Sequence, residues 1–346
     1  KWWGGQFRFD ANAVALTRDQ GANDQRLSAK ARWRYPFIAS DGEMWTFEVD
    51  GRGDVYHTDT PQDASGKHFL GRGMPMAALD WRWPFISEGS DGRSVIVEPI
   101  AQFVAATYGG NPAGIPNEDS YGLEIDENNI FSFDQVPGYD LAESGHRANF
   151  GFRTEGRFPF GYVEAVLGQT FRLKSDPIFS DTSGQSGTSS DVVGRFSIKF
   201  SPYMDLTHRI AYDEKDGKVR RNEVYLTGIY GRSSLQVNYI RLSANADMAA
   251  REELNAQTDV NFYKNWQVFA AVRRDMRADQ TLSSEFGLGY EDECLGISLA
   301  YRRKYTSDQD IKPSTIILLH FSLKTTDQPV GAFSLFPQNV FSYFHS

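Results

Sequence analysis

The sequence predicts an all-β protein, an antiparallel transmembrane β-barrel of about sixteen strands. Three observations lead to this fold class. Apolar and polar residues alternate along many segments, full charges recur in the middle of the polar faces, and aromatic residues gather near the strand ends. Alternation indicates strands, because successive side chains on a strand point to opposite faces. The charges and aromatics favour a membrane barrel, whose outer face meets lipid and whose inner face meets water.

Composition removes several other classes. The chain has 346 residues, a net charge of −9, one cysteine and 14% aromatic residues. No apolar run reaches the ~18 residues of a transmembrane helix. The acidic balance argues against a nucleic-acid partner. A single cysteine excludes a disulfide framework closed within the chain and a cysteine-based zinc site.

The strands follow from the alternation, which is clearest over residues 26–35. There Leu27, Ala29 and Ala31 share one face with two aromatics, and basic residues dominate the other face. Similar patterns predict strands at 43–52, 147–155 and 254–262. Weaker patterns predict the remaining strands at 5–17, 72–87, 93–108, 161–174, 192–200, 203–212, 222–231, 234–243, 266–275, 281–290, 294–303 and 314–324. Proline residues weaken the segment 72–87.

The connections divide into tight turns and long loops. Turn residues mark the tight turns at 41–42, 91–92, 216–217 and 264–265, and longer loops are expected at 58–71, 109–145, 175–190 and 305–313. The Ser/Gly/Thr-rich loop at 175–190 is predicted to be mobile. The 109–145 loop carries many carboxylates, but their spacing does not fit an EF-hand, so we expect a solvated acidic loop. No composition shift marks a second domain within residues 1–324, and residues 325–346 form a tail.

Four stretches resemble the LptD family, the lipopolysaccharide-assembly proteins of the outer membrane, also called organic solvent tolerance proteins. Residues 97–103 (VEPIAQF) are similar to the family's EP-x-x-Q strand, and residues 115–120 (IPNEDS) to an acidic loop motif. Residues 129–140 (NIFSFDQVPGYD) resemble a loop segment in which arginine is usual where Gln135 and Leu141 stand. The fourth stretch is the pair of strands at 294–305 and 314–324.

The resemblance implies a role in transport, without catalysis and without a cofactor. The family barrel has 26 strands and a periplasmic jelly-roll domain, so about ten strands and that domain would precede Lys1. The family places lipopolysaccharide in the outer leaflet of the outer membrane through a lateral opening between its first and last strands. The implied partners are lipopolysaccharide, outer-membrane lipids, an LptE-like plug lipoprotein and the periplasmic bridge proteins that deliver the substrate. For the 109–145 loop the resemblance implies an alternative to the solvated loop, in which the loop folds into the lumen or contacts the plug.

Three sets of residues are then candidates for function. Cys294 matches a family cysteine that forms a disulfide with the periplasmic domain, and the simpler alternative is a chance thiol or small apolar side chain on a barrel strand. The last strand would form one lip of the lateral opening, with the candidate residues Ser314, Ile316, Leu318, His320, Ser322 and Lys324. Basic side chains on the polar faces would line the lumen and could contact phosphate groups or the plug, namely Arg26, Lys30, Arg32, Arg34, Arg147, Arg153, Arg195, Lys199 and Arg273. The simpler interpretation of these charges is that they keep the lumen hydrated.

Other functions stay open from the sequence alone. A sixteen-strand general diffusion porin has the same strand count, but porins end in an aromatic residue of their last strand. An outer-membrane hydrolase needs a Ser/His pair, and no G-x-S-x-G or H-E-x-x-H motif occurs among the widely spaced histidines. A soluble β-rich binding protein would place its apolar faces in a packed core.

Overall fold

The structure, a computed structural model, describes residues 4–21, 23–58, 69–244, 249–306 and 312–323. These residues form one antiparallel sheet of seventeen strands. The strands are β1 Gln6–Leu16, β2 Asp24–Ile38, β3 Met44–Thr58, β4 Phe69–Arg82, β5 Phe85–Glu88, β6 Ser94–Ala106, β7 His146–Phe158, β8 Gly161–Arg172, β9 Val192–Phe200, β10 Met204–Asp213, β11 Lys218–Tyr230, β12 Ser233–Leu242, β13 Arg251–Tyr263, β14 Trp266–Asp275, β15 Gln280–Glu291, β16 Leu295–Lys304 and β17 Ser314–Leu323.

The sheet is a meander in which each strand pairs with its neighbour in the chain. The exception is β5, a four-residue strand that continues β4 beyond Pro84, so that both pair with β6. Proline has no N–H for the ladder, which explains the interruption. Counting β4 and β5 as one gives the sixteen strands that the sequence predicts. Among the described residues β1 and β17 do not pair with each other, so the sheet is not closed.

Burial in this sheet is the reverse of that in a water-soluble domain. One face, called here the polar face, carries Arg26, Asp54, Gln102 and Asn149, all of them buried. The opposite face, the apolar face, leaves large side chains exposed, among them Phe9, Leu27 and Phe103. Charged residues are seldom buried in soluble proteins. An exposed apolar face and a polar interior face are typical of strands that cross a membrane, and the predicted fold class is confirmed.

The two ends of the strands differ in their connections. One end has only tight turns, where Gly42 and Gly92 adopt φ angles of 92° and 80°, values that glycine tolerates and other residues rarely do. The other end carries the connections 107–145 and 173–191. In outer-membrane barrels short turns lie on the periplasmic side and long loops on the outer side. In the described ranges, no helix is long and apolar enough to cross a membrane.

Aromatic residues collect on the apolar face near the short turns. Trp33 stacks on Tyr35 with ring centroids 6.0 Å apart, and Phe37 stacks on Trp45 at 6.3 Å. On β7 and its turn, Phe158 stacks on Phe160 at 5.2 Å. Amphipathic aromatic rings favour the boundary between hydrocarbon and water, so this row marks one edge of the membrane-facing band.

Candidate functional site: an acidic loop on the polar face

The 107–145 loop lies against the polar face instead of extending into solvent. Its side chains form ion pairs with arginines as far apart as β2 and β11. At one end Arg26 binds the loop, and at the other Arg209 and Arg221 contact Glu127 and Asp126 at 3.1 and 3.7 Å. The loop therefore spans the polar face of half the sheet.

Asp140 is the most buried anchor of the loop, with none of its surface exposed. One carboxylate oxygen accepts a hydrogen bond from Arg26 of β2. The other accepts the backbone N–H groups of Glu118 and Asp119 at 2.6 and 3.0 Å. A buried charge is stable only when it is paired and hydrogen-bonded, and Asp140 meets both conditions through groups that the sequence separates by up to 114 residues.

Asp119 is a second carboxylate at this anchor and binds the backbone of the turn at residues 138–140. Its carboxylate binds Arg26 at 2.8 Å and accepts the backbone N–H groups of Tyr139 and Asp140 at 2.8 and 3.0 Å. Burial alone would raise the pKa of Asp119, but these N–H groups and the guanidinium lower it to about 2. Gly138 makes the close approach possible, because a Cβ there would collide with Asp119.

Two further arginines bind the backbone of the turn at residues 138–140. Arg52 of β3 and Arg72 of β4 both donate hydrogen bonds to the carbonyl oxygen of Tyr139, and Arg72 also donates to the carbonyl of Asp140 at 2.7 Å. The two guanidinium groups share Asp54, which lies 3.0 Å from Arg52 and 2.5 Å from Arg72. Strands β3 and β4 thus place two guanidinium groups where they donate hydrogen bonds to the carbonyl oxygens of the turn.

Glu143 forms a second anchor near the end of the loop. It pairs with Arg147 of β7 at 2.7 Å and with Arg172 of β8 at 2.5 Å, and all three side chains are buried. Arg147 also donates to the carbonyl oxygens of Ser132 and Phe133, both at 2.9 Å. One carboxylate is therefore shared by two buried cations, so its loss would leave both guanidinium groups without their carboxylate partner.

Between these anchors the loop makes an apolar contact with the sheet. Ile125 and Ile130 of the loop form a small core with Val193 and Ala211, and Phe131 packs against it. Gly151 and Gly168 on the polar face leave the space for this ring, since a Cβ at either position would lie 2.7 or 3.0 Å from Phe131. These strand glycines thus form a notch for the aromatic side chain of the loop.

The 173–191 loop packs beside the first loop. Ser144 of the first loop donates its N–H to Asp176 of the second at 2.7 Å, and Arg172 donates to Gln185 at 2.9 Å. Asp191 pairs with Arg220 of β11 at 3.1 Å. Burial raises the pKa of Asp191 to about 6, although Arg220 opposes the shift. The two loops form one hydrogen-bonded cover over the polar face.

Two sequence predictions for these loops are wrong. The acidic 109–145 loop is not simply solvated, since Glu127 and Asp140 are buried in ion pairs with the strands. The 175–190 loop, predicted to be mobile from its composition, is bound to the sheet through Thr188 and Ser190 and buries Gln185. Both predictions failed because local composition does not reveal partners that come from distant strands.

Comparison with known proteins identifies the family. A sequence model of LptD, described as LPS transport system D, matches residues 1–255. The chain belongs to the LptD family. The LPS-assembly protein LptD of Psychrobacter cryohalolentis is 24% identical over 298 residues, which cover 79% of this chain and 27% of that protein. The protein of the same name from Acinetobacter baylyi is 24% identical over 246 residues, which cover 68% of this chain and 29% of that protein.

The chain therefore spans under a third of the length of these LptD relatives. Among solved structures, two variants of a Rhodopseudomonas blastica porin are similar at 11% and 12% identity, with TM-scores of 0.29 and 0.30. They cover 87% and 91% of this chain, and this chain covers 95% and 98% of them. Members of the LptD family are outer-membrane proteins, and the sheet lies in that membrane.

The basic residues predicted to line a lumen all lie on the polar face. Arg26 and Arg147 bind the 107–145 loop, and Lys30 contacts Asp134 of that loop at 3.2 Å. The others pair within the sheet or lie opposite polar neighbours of adjacent strands. Arg32 binds Glu48 and Asp50, Arg195 binds Glu164, and Arg273 binds Glu253. Arg153 lies opposite Glu98, and the exposed Lys199 and Arg34 lie opposite Asp205 and Glu48.

Of the other two candidate sets, Cys294 lies in a short turn and the residues of β17 lie along the edge of the sheet. Cys294 is exposed in the tight turn between β15 and β16, where Asp292 accepts its N–H at 2.9 Å. Ser314, Ile316, Leu318, His320 and Ser322 share one face of the edge strand β17, whereas Lys324 lies outside the described residues.

Sequence reasoning missed the residues that hold the loop most firmly. Five residues that are central to the cover are not among the candidates predicted from sequence, namely Arg52, Arg72, Arg172, Tyr139 and Glu143. The sequence does hold two signals for them, since the alternation places Arg52 on the polar face and Tyr139 lies within the 129–140 stretch that resembles the family. In the part of the chain that the structure describes, no cluster of three or more potential metal-ligating side chains occurs.

Proposed function

We propose that this chain is the C-terminal part of a barrel wall that inserts lipopolysaccharide into the outer leaflet through a lateral opening. Membership of the LptD family supports the substrate, since the family is described as an LPS transport system. The proposed step moves a lipid without making or breaking a covalent bond.

The observation that supports a lateral opening is the edge position of strand β17. Its ladder with β16 leaves the other edge without a described partner strand. An unpaired strand edge in hydrocarbon leaves N–H and C=O groups unsatisfied, so this edge needs a partner strand. A ladder that opens and closes at this position would form the gate.

The side chains of β17 fit such a gate. Ile317, Leu319 and Phe321 lie on the apolar face, but Ile316 and Leu318 are also apolar and half-exposed on the polar face. Elsewhere the polar face mixes charged and polar side chains with buried apolar ones such as Ile100 and Phe269, whereas Ile316 and Leu318 are exposed. Around Ile316 and Leu318 the gate strand is thus apolar on both faces, between the polar side chains of Ser314 and His320. This short apolar stretch would allow acyl chains to move from the interior to the membrane.

The same proposal assigns roles to the partners. An LptE-like lipoprotein would occupy the part of the polar face that the two loops leave to it. Periplasmic bridge proteins would deliver the substrate at the end with short turns. Cys294 lies in one of those turns, in a position from which it could form a disulfide with a periplasmic domain. Disulfides form in that oxidising compartment.

Photo-crosslinking tests the gate directly. A photoreactive residue replaces Leu318, on the polar face of β17, in the complete protein in cells. The matched control replaces Leu299, which lies on the apolar face of the neighbouring strand β16. We expect a lipopolysaccharide adduct at Leu318 that depends on active transport, and only a transport-independent adduct at Leu299.

Two outcomes would contradict the proposal. The first is an adduct at Leu318 that persists unchanged when delivery from the periplasm is blocked. The second is steady passage of small sugars through the purified protein in liposomes, which would indicate a general diffusion pore.

A further inference from the structure

A groove of about 490 Å³ runs along the apolar face near the end with long loops. Its floor consists of small side chains on three adjacent strands, Ala77 of β4, Ala105 of β6 and Ala148 of β7. The aromatic side chains of Phe47, Phe103 and Phe171 also line the groove. The volume lies within the range of about 300–1,000 Å³ that is usual for ligand pockets.

The position of the groove determines what can fill it. The apolar face meets the hydrocarbon of the outer membrane, so water does not fill a groove lined by alanine and phenylalanine. The groove crosses five neighbouring strands from β3 to β8, which is about 19 Å at the usual spacing of about 4.8 Å. A slot of this form matches a single extended acyl chain.

A polar cluster stands at the outer end of the groove. The ring of Tyr108 packs over Gly145, where a Cβ would lie 2.7 Å from it, and it makes an edge contact with His146 at 5.1 Å. Lys174 is exposed, with its Nζ 6.0 Å from the centre of the Tyr108 ring. The ammonium group thus lies close to the rim of the groove, at the end of the strands that carries the long loops.

We propose that this groove is a binding site for one phosphate-bearing membrane lipid. An acyl chain occupies the alanine floor between the phenylalanines, and the phosphate of the headgroup binds Lys174 beside Tyr108. Lysine at a membrane surface attracts anionic headgroups, and tyrosine favours the headgroup level. The site lies on the outer wall of β3–β8, away from the gate strand β17, and does not depend on the function proposed above.

Native mass spectrometry of the complete protein in detergent tests the site. The probes are phosphatidylglycerol and a diacylglycerol with the same acyl chains. We expect the unaltered protein to retain one phosphatidylglycerol in preference to diacylglycerol. The double variant Ala105→Phe/Ala148→Phe fills the groove and is expected to weaken retention of both probes about tenfold or more.

Two further variants separate the acyl chain from the headgroup. Lys174→Ala removes only the cation, so phosphatidylglycerol should lose about fivefold in affinity while diacylglycerol is unchanged. Ala256→Phe/Ala270→Phe makes the same change on the apolar face of β13 and β14, remote from the groove, and should retain both probes as the unaltered protein does.

Several results would overturn the proposal. Equal retention by the groove variant and the unaltered protein would mean that no specific lipid binds there. Equal loss in both phenylalanine variants would indicate a general change in the apolar face. Retention of a protein in place of lipid, lost in the groove variant, would identify an apolar segment of a partner as the occupant.

Discussion

The polar face of the sheet has two regions that pair their charges in different ways. In β2–β8 the side chains of Arg26, Arg72, Arg147 and Arg172 are only 2–3% exposed, and they bind loop residues or other buried carboxylates. In β13–β16 the side chains of Arg251, Arg273 and Arg302 are 25–44% exposed and pair with glutamates of the same or the adjacent strand. The first region is covered by the protein's own loops.

Arginine therefore has two different roles on the polar face. A charge pair in a buried site is weakly screened, and removal of one partner leaves an isolated charge that costs several kcal/mol. An exposed pair contributes about 0–1 kcal/mol. The arginines of β2–β8 thus fix a loop in place, whereas those of β13–β16 keep a surface polar and available to other molecules.

The largest expected effect is the loss of the central anchor. Arg26→Ala leaves Asp140 and Asp119 without their shared guanidinium in a buried site. We expect the 107–145 loop to open more easily by about 3–5 kcal/mol. Hydrogen exchange of the loop amides measures this opening. The fold of the sheet itself should persist, because its ladder does not depend on this pair.

The double variant Arg26→Ala/Asp140→Ala serves as the control for that experiment. It removes both charges, so most of the penalty for an isolated buried charge should disappear. If the loop opens equally easily in the single and double variants, the Arg26–Asp140 pair does not hold the loop. That result would contradict the proposed difference between the two regions of the polar face.

The sheet could be predicted from sequence, and the cover could not, for a physical reason. Alternation such as that of residues 26–35 depends only on neighbours along one strand, so it is visible locally. The partners of Asp140 lie 114 residues away on β2 and 68 residues away on β4. An acidic loop that is solvated and one that binds buried arginines have the same composition.

A smaller loss is expected at the second anchor. Glu143→Gln removes the charge shared by Arg147 and Arg172 but leaves an amide that can still accept one hydrogen bond. We expect opening of the loop segment near β7 to become easier by about 2–3 kcal/mol. Local hydrogen exchange should show this change near residue 143 and little change near residue 119. A uniform change along the whole loop would indicate that the two anchors act as one unit.

The two loops should respond to acid in opposite ways. Because burial raises the pKa of Asp191 to about 6, the folded state binds a proton more readily than the unfolded state, whose pKa is about 3.9. The stability contributed by this group is present below pH 4 and is lost as the pH rises through 6. The pKa of Asp119 is lowered to about 2, so its contribution is present above pH 4 and is lost as the pH falls towards 2.

Between pH 7 and pH 5 we therefore expect the 173–191 loop to become more protected by about 1 kcal/mol, while the 107–145 loop stays unchanged. Hydrogen exchange corrected for the intrinsic pH dependence measures both loops in one sample. Asp191→Asn should remove the response of the second loop. A response that survives this substitution would have to come from another group.

The smallest effect is expected in β13–β16, the region that the described loops do not cover. Arg302→Ala breaks a pair with Glu285 in which the arginine side chain is 28% exposed, so water can solvate the remaining carboxylate. We expect the free energy of unfolding to change by about 1 kcal/mol or less, and hydrogen exchange of β15 and β16 should scarcely change. Raised salt should reduce even this effect, because exposed charges are screened over about 10 Å at 0.1 M. A loss as large as that of Arg26→Ala, insensitive to salt, would mean that this polar face is also buried in the complete protein, as it would be under a plug. The same substitution made with and without the lipoprotein partner would then measure how much of β13–β16 that partner covers.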